Sequence, residues 1–263
     1  MNVPYIGITD FTNFDQVKRM LSVFKKHSQR GLNRKLHVGV MMSYKTLHGI
    51  ETQFSKVFPP KETIASIFAS DETYNCLHYA DYRGHPELWK SLLHAIQYGG
   101  MGIDALQLDI TWPDPGEVAN AVHASRKNLE VILQVGNKAF EEAGDDPDAV
   151  VERLRDYEGV ICRVLLDRSA GRGIGMDAVG LIPYARAIRN AFPDLGIVAA
   201  GGLGPESVDL VRPLVLEFLD LSIDAQGKLR PSGDILDPVD WNFAERYLIR
   251  ALDMFRLVTK IMH

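Results

Sequence analysis

The sequence predicts a single (β/α)8 barrel, a closed parallel sheet wrapped in helices. Three observations predict it. Eight short apolar runs recur along the chain, each followed by a segment able to form a helix, and that alternation builds parallel sheets. The 263 residues match the length at which eight such units close on themselves. No internal repeat, low-complexity tract or linker divides residues 1–263, so one domain is expected.

In order, the strands are expected over residues 4–9, 36–42, 74–80, 104–110, 130–135, 160–166, 196–200 and 218–223. Between them, apolar stripes mark helices: Val17, Met20, Leu21 and Phe24, then Leu88, Leu92, Leu93 and Ile96. Phe243, Tyr247, Leu248, Ala251, Leu252, Phe255 and Val258 mark the last. Pro86 and Pro205 stand where a first helical turn is expected, since proline has no N–H to leave unbonded there. Two long connections interrupt the regularity, 43–61 after the second strand and 227–240 after the eighth. Connections of that length are expected to be lids, binding loops or disordered segments. Their aromatic residues Tyr44, Phe54 and Phe58, with Trp241 and Phe243, are candidates for a partner surface.

Composition narrows the function classes. A net charge of -5 argues against a nucleic-acid surface, which needs clustered Lys and Arg. Cys76 and Cys162 form no disulfide framework and no C-x-x-C zinc motif. No apolar run reaches membrane-spanning length, and with no basic segment leading into a long apolar run no secretory leader is expected. A cytoplasmic protein with a small-molecule partner, no cofactor, no nucleic acid and no membrane is expected, with a homo-oligomer left open.

Barrels of this kind place their chemistry where strands end and βα loops begin. The polar residues at those ends are Thr9 and Asp10, Ser43, His78 and Asp81, Asp109 and Thr111, Gln134, Asp167 and Arg168, Gly201 and Gly202, and Ser222 and Asp224. Side chains alternate along a strand, so Gln107, Asp109 and Thr111 share one face. Arg163, Leu165 and Asp167 share another, and Asp220, Ser222 and Asp224 a third.

The run Leu165-Leu166-Asp167, then Gly173-Ile174-Gly175, then Leu181-Ile182-Pro183-Tyr184 is followed by Ala199-Ala200-Gly201-Gly202-Leu203-Gly204-Pro205-Glu206-Ser207-Val208 and Asp220-Leu221-Ser222. With Gly7-Ile8-Thr9-Asp10 and Ala105-Leu106-Gln107-Leu108 earlier in the chain, this resembles phosphoribosylanthranilate isomerase, most clearly over residues 160–237. The resemblance implies an Amadori rearrangement of a phosphoribosyl amine, with a general acid and a general base. It assigns the acid to Asp167 and the phosphate to the turn at Gly201 and Gly202 and the end of strand eight at Ser222; where Asp224 departs from the family, Arg230, Ser232 and Gly233 in the following loop are expected to compensate, and Gln134, at its strand end, is a further candidate ligand contact. The family's cysteine base falls on Ile6, which cannot take a proton. Asp10, His78, Asp81 and Asp109 are therefore the candidate bases. Asp224 replaces a glycine of the family's phosphate loop, where a carboxylate opposes a dianion.

Two other classes are weighed against this one. His78, Asp81, Asp109, Asp167 and Asp224 would suit a divalent ion in a metal-assisted lyase or epimerase. The bland alternative pairs these aspartates with Arg83, Arg163, Arg168 and Arg172. A barrel reduced to binding is the third reading. A Schiff-base aldolase is disfavoured, because no lysine sits in a strand interior. The glycine run 171–175 follows the sixth strand and suits an active-site loop better than a dinucleotide fingerprint.

Overall fold

A computed structural model describes residues 3–28, 32–168 and 175–262; most of the glycine run 171–175 lies outside them. The elements follow one another as β1 (Tyr5–Thr9), α1 (Phe14–His27), β2 (Lys35–Ser43), α2 (Tyr44–Leu47), α3 (Ile64–Ile67), β3 (Tyr74–Ala80), α4 (Leu88–Tyr98), β4 (Ala105–Asp109) and α5 (Pro115–Ser125). There follow β5 (Glu130–Val135), α6 (Asn137–Glu142), α7 (Pro147–Arg155), β6 (Arg163–Asp167), α8 (Ala178–Ala191), β7 (Gly196–Ala200), α9 (Arg212–Glu217), β8 (Ser222–Ala225) and α10 (Trp241–Met262). All strands pair in parallel, in chain order, and β8 closes on β1 through Ile6–Ile223, Gly7–Asp224 and Ile8–Ala225. The (β/α)8 barrel is thus the fold.

Alternation along each strand separates two apolar regions. Ile6, Ile8, Val38, Leu106, Leu108, Leu133 and Leu166 turn outward onto the helix layer. Tyr5, Tyr74, Cys76, Ala105, Ile132, Leu165, Val198 and Ala200 fill the lumen. Arg163 plugs the N-terminal end. Its guanidinium meets Glu130 at 3.0 Å, the carbonyl of Val3 at 2.9 Å, and the rings of Tyr5 and Tyr74 at 5.4 and 5.2 Å.

Two strands start later than their apolar runs predict. The amides of Val160 and Ile161 bond to the carbonyl of Tyr157, so these residues close the turn after α7 and β6 begins at Arg163. Phe218 likewise closes α9 through Leu214, and β8 begins at Ser222. Apolar residues that seal a helix end against the core read the same as strand residues. Asp220 therefore precedes β8 and does not share its lumen face; Arg189 holds it at 2.8 Å.

Prolines stand in the first turns of α5, α7 and α9, at Pro115, Pro147 and Pro213, and Asp114 and Asp146 cap the first two. Pro86 precedes the α4 cap residue Glu87, and Pro205 lies in a turn. The connection after β2 carries the short helix α2. Tyr44 in α2 stacks on His85 at 3.5 Å, Phe54 packs on Phe58, and Trp241 packs on Phe11. These aromatic residues thus meet partners within the chain. Among the described residues, no helix is long and apolar enough to cross a membrane.

A candidate active site at the C-terminal mouth

The strand ends converge on one rim, where the βα connections enclose a cavity of about 720 Å³. That size suits a small metabolite. Met41, His78, Gln107, Asp109, Gln134, Leu165, Asp167, Ala200, Gly201, Gly202 and Asp224 line it, with Asp81, Tyr82, Arg83 and Lys228 from the connections and Lys138 from α6. Seven of the residues expected at the site, His78, Asp109, Gln134, Asp167, Gly201, Gly202 and Asp224, therefore share one space.

Asp109 ends β4 and is half-buried. Burial raises its pKa to about 6, the Tyr82 hydroxyl that bonds it opposes the rise, and the nearby charge of Asp167 adds to it. A carboxylate so placed is a stronger base than one in water. Asp167 ends β6 and faces the same cavity. His78 stands on the inward face of β3, and burial lowers its pKa to about 3. Its imidazole is neutral at physiological pH and a weak base. On the cavity floor, the Gln107 amide donates to Gln134 Oε1 at 3.1 Å, while Gln107 Oε1 is buried without a protein partner. A buried acceptor left open costs on the order of 1–3 kcal/mol unless a water or ligand donates to it.

Asp224 turns down into the lumen. Both carboxylate oxygens accept from the Thr9 hydroxyl, at 3.1 and 2.9 Å. Gly7 makes the space, since a Cβ there would lie 2.3 Å from Asp224 Oδ1. Burial pushes the Asp224 pKa to about 7, with Thr9 opposing. The carboxyl is thus partly neutral near pH 7, which weakens the repulsion expected between it and a bound dianion. Gly201 and Gly202 bend the chain after β7 with φ of 96° and 69°, a region that disfavours side chains. The Gly202 carbonyl accepts from Ser207 Oγ at 2.6 Å, which fixes the turn.

Three expected site residues do not line the cavity. Asp10, at φ 84°, accepts from Arg230 at 2.6 Å and from Gln226 at 3.1 Å. Burial raises its pKa, and Arg230 opposes the rise. Arg230 also donates to the carbonyls of Gln226 and Asp237. Ser222 accepts from the backbone N–H of Tyr5 at 3.0 Å. Together they join β8 and its connection to β1, because a buried guanidinium needs its carboxylate and acceptors close by. Ile6, the position matched to the base, faces the helices, so no residue there reaches the lumen.

Among the described residues, the carboxylates weighed for a divalent ion form no group of three close donors with His78. Asp81 lines the rim, but its carboxylate accepts from the amides of Arg83 and His85 and from His85 Nδ1. Among the described residues, the His, Cys and acidic groups that crowd together are His37, Cys76 and His78. Of the arginines weighed as partners, Arg163 pairs with Glu130 and Arg168 with Asp145, while Arg83 reaches the cavity rim. Arg172 lies outside the described residues. Sequence reasoning missed Tyr82, Lys228 and His37. Tyr82 and Lys228 sit in loops of no set periodicity. His37 carried the one available signal, because it alternates with Gly39 and Met41 on β2.

No family model and no curated protein sequence matches the chain. Solved structures do. Active domain 2 of a thermostable chitinase from Pyrococcus furiosus superposes with a TM-score of 0.54 and 12% identity, covering 95% of each chain. Phosphonopyruvate hydrolase gives 0.51 and 12%, covering 86% of this chain and 76% of that one. At such identity the likeness is one of fold, and this scaffold hosts many chemistries.

Proposed function

We propose that the barrel mouth is the active site of an enzyme that moves a proton within a small anionic metabolite of the sugar-phosphate type. Asp109 is the base and Asp167 the acid. The observation that supports this most is the meeting of both carboxyls, from β4 and β6, in one cavity, with Asp109 held to a pKa of about 6. Acid–base catalysis works best with a group that titrates near the working pH. Asp109 is mostly ionised at pH 7 and takes the proton; Asp167 returns one to the leaving or ring oxygen. The turn at Gly201 and Gly202, with Lys228 on the same cavity, anchors the anion. Gln107 and Gln134 orient the polar body of the ligand.

The test is turnover of a panel of sugar phosphates, phosphoribosyl anthranilate included. The expected kcat/KM climbs with pH through a limb near 6, where Asp109 loses its proton. Asp109→Asn removes that limb, and Asp109→Asn and Asp167→Asn each lower the rate by about 10²–10⁴-fold. A turnover indifferent to both substitutions rejects the assignment. Ligand-induced stabilisation without turnover of any panel member favours a barrel that only binds.

A further inference from the structure

The geometry points to a metal site in the lumen beneath the cavity, where His37 Nε2, His78 Nε2 and Cys76 Sγ hold one borderline divalent ion such as Zn²⁺. It goes beyond the acid–base reading and does not depend on it. The three donor atoms lie within 4.8 Å of one another, and all three residues are buried.

Strand register brings them together. Cys76 and His78 occupy successive inward positions of β3, opposite Gly39 and Met41 of β2. His37 lies lower on β2, stacked on Tyr5 at 4.5 Å. Gly39 separates it from Met41 and leaves the intervening space free of a side chain. A Cβ at Gly39 would lie 3.0 Å from His78 Nε2 and 2.3 Å from Thr9 Oγ1. Across that space the two imidazoles are hydrogen-bonded, Nε2 to Nε2, at 3.3 Å.

That separation fits two nitrogens on one ion. With Zn–N bonds of about 2.0–2.1 Å, the edge of a tetrahedron is about 3.3–3.4 Å. Two imidazoles and a thiolate suit Zn²⁺, and hard ions such as Mg²⁺ prefer oxygen.

The remaining nitrogen of His37 adds an independent observation. Nδ1 is buried with no hydrogen-bond partner, and it lies 3.8 Å from Asp224 Oδ1. A histidine that ligates through Nε2 carries its proton on Nδ1, and a carboxylate facing that proton orients the ring. Thr9 holds Asp224 in place for this role. His78 also lines the cavity above, so the site lies directly beneath it.

The experiment uses full-length protein stripped with chelator and titrated with Co²⁺, then Zn²⁺. We expect one ion per chain, tetrahedral cobalt absorption and a thiolate-to-cobalt charge-transfer band. Cys76→Ser removes the band, and Cys162→Ser leaves it unchanged. His37→Gln and His78→Gln weaken Zn²⁺ binding by about 100-fold or more, and Asp224→Asn by about 10–100-fold. X-ray absorption of the zinc-loaded wild type, which needs no variant to fold, shows one sulfur at about 2.3 Å beside nitrogen. Nitrogen–oxygen coordination alone, no bound ion, or affinity untouched by the histidine substitutions overturns the site.

Discussion

Single atoms decide how much polar chemistry this lumen holds. Gly7 and Gly39 are the clearest cases, since neither needs an unusual backbone angle. What they supply is the missing Cβ, which leaves room for the Asp224 carboxyl and for Thr9 beside His78. Asp224 is buried and bonded on both oxygens, so it has no easy way to move aside. Gly7→Ala is therefore expected to destabilise the barrel by about 1–3 kcal/mol, the usual cost of overpacking. Urea unfolding measures this, and an unchanged midpoint would show that the lumen yields. The sequence displayed these glycines but not their role, because the atoms they accommodate come from other strands.

At the level of elements, the connection after β8 is held by a buried ion pair. The side chains of Arg230 and Asp10 are 1% and 3% exposed and meet at 2.6 Å, with Arg230 also bonded to carbonyls of its own connection. Removing one partner strands a buried charge, which costs about 3–5 kcal/mol. Arg230→Met is expected to lose stability in that range, and Asp10→Asn combined with Arg230→Met to lose less than the two singles summed. A double-mutant cycle from denaturant unfolding reads the difference; additive losses would mean that the two side chains act separately. Asp10 is legible in the sequence as a polar residue at a strand end, and Arg230 as one of the long connection after the eighth strand. Their pairing is not, since 220 positions separate them in the chain.

For the molecule as a whole, closure of the sheet is uneven. β2 and β3 pair over seven positions, from His37–Tyr74 to Ser43–Ala80, whereas β8 pairs over two with β7 and three with β1. Cooperative opening follows such differences in local bonding. Native-state hydrogen exchange is expected to find the slowest strand amides in β2 and β3 and faster exchange in β8. Equal protection around the barrel would mean that α10, packed over α1 and β1, compensates for the short seam.

By itself the sequence determined the architecture. Apolar periodicity and chain length are local and additive, so eight units announced a closed barrel and the rim on which Asp109, Asp167 and the Gly201–Gly202 turn would gather. It also determined which side of β4 carries Gln107 and Asp109, because alternation along a strand is a property of the backbone. Only the tertiary structure decided which polar residues face the cavity and which hold the barrel together. It turned Ile6 outward, drew Asp10 and Arg230 into a buried pair, and brought His37, Cys76 and His78 to within 4.8 Å. Those outcomes depend on register between strands and on the space left by glycines across the lumen, and neither quantity is written in the order of residues along one strand.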